Sequence, residues 1–254
     1  MVGTDEKGNF TDVGPGTPAD AWRAHPGWAT GPAVTLAGVS RLVVVAAHPD
    51  DESLGAGGLI ATATRQGLSV DIVCATDGEG SHPHSPTRTP EELAVIRAEE
   101  GRRAAEALGV GLVQRMAMSD GRVGEDQDRL TERLVEVVGD VPGTVIVAPW
   151  RRDGHPDHEA AGRAAAAAAH RTGAELWEFP IWFWHWGAPD GAPWQLLQPF
   201  QLDEHAVRAK NHAIRAHASQ IAPLSDLEGD ETLLPAEFLA HFEAGPEHYL
   251  RTEG

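Results

Sequence analysis

The sequence predicts an α/β fold, a three-layer sandwich around a mainly parallel sheet. Short β-branched runs alternate with stretches of helical period or high alanine content. The polar, histidine-rich motifs stand directly after those runs, at the carboxyl ends of the expected strands. Ligands bind at that edge of an open α/β sheet.

Residues 1–38 are rich in Gly, Pro and Ala and read as a loosely structured arm, with one short helix near Asp20 to Arg23 and aromatic residues able to pin it down. Residues 39–254 are expected to form one domain with a C-terminal extension. RLVVVAA at 41–47 reads as a strand buried on both faces, HPDDESLGAGG opens a helix reaching about residue 67, and SVDIVCATDG gives a second strand. A loop follows over 77–90. Residues 90–108 form a helix with Pro90 in its first turn and Gly109 past its end. LVQRMAM (112–118) is a third strand, 125–139 an amphipathic helix, TVIVAPW (144–150) a fourth strand and RRDGHPDH its loop. An alanine-rich helix over 159–171 and a fifth strand, ELWEFPIW (175–182), come next. Residues 221–254 read as an acidic loop and a short helix, LPAEFLAHF.

The formal net charge is −18, from 20 basic and 38 acidic residues. Such a field disfavours nucleic acid and anionic membranes as partners and leaves neutral or cationic small molecules. The single cysteine, Cys74, rules out an intrachain disulfide, and no apolar run approaches a membrane span, so a cytoplasmic location is the expectation.

His48, Asp50, Asp51 and Glu52 crowd the end of a buried strand, where unpaired charge is costly. One reading is that the acids cap the next helix. The other is a cation: His48 and Asp51, three apart, aim at one point, and Asp50 is left free as a general base. His155, Asp157 and His158 form the second cluster. Parallel topology brings it beside the first, so His158 can be a third ligand. Two histidines and one carboxylate leave the open position of a catalytic zinc, one ion per chain. His155, oriented by Asp157, can face a developing oxyanion. Capping by Asp157 is the bland alternative.

AHPDDE at 47–52 and HPDH at 155–158 resemble the PIG-L, or LmbE-like, deacetylases, with weaker support from TDGEG, IRAEE, ALGV and KNHAIRAHASQ. The resemblance runs from about Arg41 to Gln220. It implies a Rossmann-like zinc enzyme that removes N-acetyl groups from amino-sugar compounds. It also implies His48, Asp51 and His158 as ligands, Asp50 as base and His155 as oxyanion partner. Arg97 matches an arginine that touches substrate in some members; a solvated helix charge is the alternative. Some members carry a tyrosine two residues before HPDH, where this chain has Asp153.

Asp120, His82, Trp184 and His185 are further candidate substrate contacts. The alternation of Trp182, Trp184 and Trp186 suggests one face of an extended segment, serving as substrate wall, core or homo-oligomer interface. Rival functions are an amidase or deacylase for a larger conjugate, a non-catalytic sugar- or metal-binding module, and a metal-dependent phosphoesterase.

Overall fold

The computed structural model describes residues 16–252 and, before them, only the paired strands β1 (Gly3–Thr4) and β2 (Phe10–Thr11). The rest of the expected arm lies outside the described residues. Its described part carries α1 (Ala19–Ala24) and a 3-10 turn (Pro26–Ala29), held by the buried Trp22 and Trp28.

The main sheet contains β3 (Arg41–Ala46), β4 (Ser69–Thr76), β5 (Val113–Met118), β6 (Thr144–Pro149), β7 (Glu175–Phe179), β8 (Leu197–Phe200) and β9 (Glu247–Thr252). Their order is β5-β4-β3-β6-β7-β9-β8. The five strands from β5 to β7 are parallel, and β9 runs antiparallel to both its neighbours. The chain moves outward from β3 to β5, then returns to place β6 on the other side of β3. That reversal opens a crevice at the carboxyl ends of β3 and β6.

Helices cover both faces. On one side lie α2 (Asp51–Arg65), α3 (Pro90–Ala107) and α7 (Glu204–Ala216); on the other lie α4 (Gln127–Val138) and α5 (Pro156–Thr172). Strand alternation divides the core between them: Leu42 and Val44 face the first layer, Val43 and Val45 the second. The alanine run of α5 keeps that helix close to the sheet, with Ala160, Ala161, Ala164, Ala165 and Ala168 all inaccessible.

Several expectations shift. The fifth strand stops at Phe179, because Pro180 cannot continue the ladder. The helix expected over 159–171 starts at Pro156, since proline suits the first helical position. The tryptophan segment is not extended: Phe183–Trp186 is a helical turn, α6. Two further short helices are α8 (Ala218–Ile221) and α9 (Ala236–Leu239). No described helix is long and apolar enough to cross a membrane.

Strand β9 is tied to α2 by a buried polar cluster. Glu247 accepts the N–H groups of Gly58 and Leu59 at 2.7 and 2.8 Å. It also receives Lys210 Nζ at 2.8 Å and the Tyr249 hydroxyl at 2.8 Å. The buried carboxylate is thereby neutralised and fully hydrogen-bonded.

Candidate active site

The first motif turns sharply out of β3. Asp50 stands at the start of α2 with φ 150°, a backbone region that non-glycine residues rarely adopt, at a cost of about 1–3 kcal/mol. Its side chain does not cap the helix. Instead Arg97, from α3, binds the Asp50 carboxylate at 3.0 Å, the Pro49 carbonyl at 2.9 Å and the Gly78 carbonyl at 2.9 Å. Arg97 is therefore no solvated helix charge: it is buried and fastens Asp50. Burial lifts the Asp50 carboxyl to about 6, against the opposing pull of Arg97. The Asp50 N–H points to Glu52 Oε2 at 3.3 Å.

Asp51 enters the first turn of α2. One of its oxygens accepts the N–H groups of Ala47 and His48, at 2.7 and 3.0 Å. The other faces His158 Nε2 at 3.1 Å, and His48 Nδ1 lies 3.9 Å from the carboxylate.

The outward nitrogens of both histidines meet carboxylates. His158 Nδ1 is 2.7 Å from Asp153. His48 Nε2 is 3.1 Å from Asp120 and 3.3 Å from Asp157. A carboxylate on one ring nitrogen places the proton there and leaves the other nitrogen with its lone pair inward. This selects His48 Nδ1 and His158 Nε2, both turned to Asp51. Although burial opposes charging, Asp51 and Asp153 lift the His158 imidazole to about 9. His48 is raised in the same way by Asp120, Asp157 and Asp51. A bound divalent cation would take the place of those protons, so the donor set suits a metal.

Among the described residues, the sets whose ligand atoms all lie within 4.8 Å of one another are His48, His155 and His158, and His48, Asp120 and Asp157. Hydrogen bonding distinguishes His155 from the other two histidines. It caps α5, and its Nδ1 accepts the Asp157 N–H at 3.2 Å. In the neutral ring Nε2 then carries the proton and is a donor, not a ligand. Burial, His158 and His48 together push the His155 pKa well below its ordinary value. The expectation of an imidazole oriented by the Asp157 carboxylate is thus corrected. The backbone of Asp157 orients it, while its carboxylate binds His48 and accepts the N–H groups of Gly121 and Val123 at 2.7 and 3.0 Å.

These groups line a cavity of about 230 Å³. Asp120 belongs to its wall through His48 and accepts the Gly80 N–H at 2.9 Å. Arg97, another expected substrate contact, also lines it, whereas Trp184, His185 and His82 do not. Trp184 points the opposite way, into a cluster with Trp22 and Trp28, because residues two apart on a helical turn lie on different sides. His185 is buried where the N-terminal segment docks: its carbonyl accepts the Thr17 N–H, and a Cβ on Gly16 would lie 2.2 Å from its ring. His82 ties its loop to the Glu231 carbonyl at 3.0 Å. Trp182, noted only as part of a tryptophan run, and Asp153, noted only at the tyrosine position, prove to be built into the site. Trp182 is in the cavity wall, and Asp153 also accepts the N–H groups of Ile181, Trp182 and Phe183 at 2.7, 3.0 and 3.1 Å.

Residues 43–169, half of the chain and the stretch bearing both motifs, match the PIG-L family, described as GlcNAc-PI de-N-acetylase. The chain belongs to the PIG-L family. Its members are metal-dependent deacetylases. A probable N-acetyl-α-D-glucosaminyl L-malate deacetylase 2 of Bacillus subtilis strain 168 is 33% identical over 53% of this chain. The match covers 62% of that relative, less than two thirds of its length. A 1D-myo-inositol 2-acetamido-2-deoxy-α-D-glucopyranoside deacetylase of Mycobacterium sp. strain KMS is 30% identical, over 85% of this chain and 84% of its own. Among solved structures, GalB, the 4-carboxy-2-hydroxymuconate hydratase of Pseudomonas putida KT2440, superposes with a TM-score of 0.56 at 25% identity. It covers 72% of this chain and 80% of its own. One fold thus carries more than one reaction, and the site must decide between them.

Proposed function

We propose that this protein is a zinc-dependent hydrolase that removes an N-acetyl group from an amino sugar or a small molecule containing one. The carrying observation is the convergence of His48 Nδ1, Asp51 and His158 Nε2 beside a carboxyl group, Asp50, that is held apart from them by Arg97. Two histidines and one carboxylate match the ligand set of catalytic zinc and leave a position open. Zinc, when bound, supplies Lewis acidity toward the acyl carbonyl and toward water.

The protein's own groups divide the remaining work. With a pKa of about 6, Asp50 is ionised near neutral pH and basic enough to take a proton from the attacking water. His155 Nε2–H donates to the oxygen of the tetrahedral intermediate. The proton on Asp50 then passes to the departing amine. The Asp153 carboxylate, with its four hydrogen bonds, holds His158 and stands in for no tyrosine acid. The cavity, about 230 Å³, falls below the roughly 300–1,000 Å³ of drug-sized ligand sites. A cavity of that size supports a short acyl group over a long chain.

The test is zinc-loaded protein against a panel of N-acetylated amino sugars and their glycosides, with acetate and primary amine as readouts. Release of both in equal amounts is expected. Asp50→Asn should retain zinc and lose about 10²–10⁴ in rate. No release from any compound by metal-loaded protein would overturn the reading, and a metal-free Asp50→Asn would overturn the role of Asp50.

A further inference from the structure

The cavity lining is of two kinds. One is polar and charged, including His48, Asp50, Asp51 and His158. The other is apolar and comprises Leu54, Ile181, Trp182, Leu233 and Leu234. Among the described residues that line the cavity, Trp182 offers the widest flat surface. The indole packs nearly parallel on Trp186, with centroids 5.0 Å apart and 17° between planes, and tilts against Phe238 at 4.6 Å. It stands 6.4 Å from the His155 ring, at 30°. Its backbone N–H is held by Asp153, the carboxylate that also orients His158. Wall and proposed ligand are thereby fixed to the same oxygen, Asp153 Oδ2, and the distance between them is set by one buried side chain.

We propose that Trp182 is the specificity-determining platform of the site, selecting substrates whose N-acyl group sits on a ring with an apolar face. This rests on the amino-sugar reading and narrows it: pyranosides are taken, and open-chain N-acetyl amines are discriminated against. The C–H face of a pyranose presents weakly positive hydrogens to the negative face of an indole, the complement that an aromatic ring prefers. Leu233 and Leu234 belong to the same lining, and their N–H groups are anchored on the Gln220 carbonyl at 3.2 and 2.9 Å. The apolar rim is therefore as firmly built as the polar one.

The experiment compares Trp182→Phe, Trp182→Leu and Trp182→Ala. In zinc-loaded protein the kcat/KM for methyl N-acetyl-glucosaminide is divided by that for N-acetylethanolamine. Leu and Ala should lower this ratio about 3- to 10-fold, chiefly through KM, while Phe keeps most of it. Leucine is apolar but not flat, so it separates stacking from simple filling of space. Calorimetry of the same glycoside with Asp50→Asn, alone and combined with Trp182→Leu, reads binding without turnover and should show the same 3- to 10-fold weakening. A ratio unchanged in Leu and Ala, or equal losses in Phe and Leu, would overturn the platform. Failure of the wild type to release any amine would instead overturn the deacetylase reading. Should Trp182→Ala not fold, Phe and Leu still decide the question.

Discussion

Asp153 shows how much one side chain can carry. It is 1% exposed and accepts one imidazole N–H and three backbone N–H groups. Replacement by Asn removes the charge and turns an NH₂ group toward donors. Affinity for zinc is expected to fall about 10- to 100-fold in Asp153→Asn, measured by competition with a chelator. Unchanged affinity would separate Asp153 from the metal cluster. From the sequence Asp153 was visible only as the residue where some relatives have tyrosine. Its four partners come from two separate stretches, and no spacing rule brings 153, 158 and 181–183 together. The sequence left Arg97 open between substrate contact and solvated helix charge for a related reason. A helix arginine among acids looks solvated, and only packing of α3 over the β3 turn buries it against Asp50. By contrast, the meeting of the HPDD and HPDH motifs was legible, because both follow strands and the parallel crossover rule places those strands side by side.

Secondary-structure elements were legible where local chemistry and burial agree. The strands of the parallel block are continuous apolar runs, and α3 announces itself by Thr89, Pro90 and Glu92, which form a complete capping box. Thr89→Ala should cost about 1 kcal/mol. The midpoint of thermal unfolding should drop by about 2–4 °C with activity retained. A drop beyond 10 °C would mean that the loop before α3 depends on more than the cap. The elements left unread are β8, β9 and α7. LQPF and EHYLRT are short, mixed in polarity and lie at the antiparallel side of the sheet, so their pairing is decided by tertiary contacts. The tryptophan run failed differently. Alternation fitted an extended segment, yet Asp153 gathers the three N–H groups that open α6 and makes the helical turn the better solution.

At the scale of the molecule, the N-terminal segment is held by groups near the other end of the chain. His248 Nε2 binds the Trp28 carbonyl at 2.8 Å, and the two rings lie 4.3 Å apart. Burial lowers the His248 pKa from 6.5 to about 4, so the fold keeps it neutral. A depressed folded value means that the unfolded chain takes up the proton first. The contribution of His248 is therefore complete above pH 6.5 and is lost as pH falls toward 4. Thermal unfolding of wild type and His248→Gln at pH 7 and pH 4.5 should show a smaller acid-induced drop in the variant. Equal drops would exclude His248 as a source of acid lability. Glu247, next to it, has a kinetic consequence. Its bonds to Gly58 and Leu59 join residues 189 and 188 positions apart, on the very helix that begins with Asp51. Closing so long a loop is slow. The amino-terminal half can form its strands early, but α2 is clamped only after β9 has entered the sheet. Metal uptake during refolding should consequently trail the return of helical signal, with the last strand acting as the timer for maturation of the first motif.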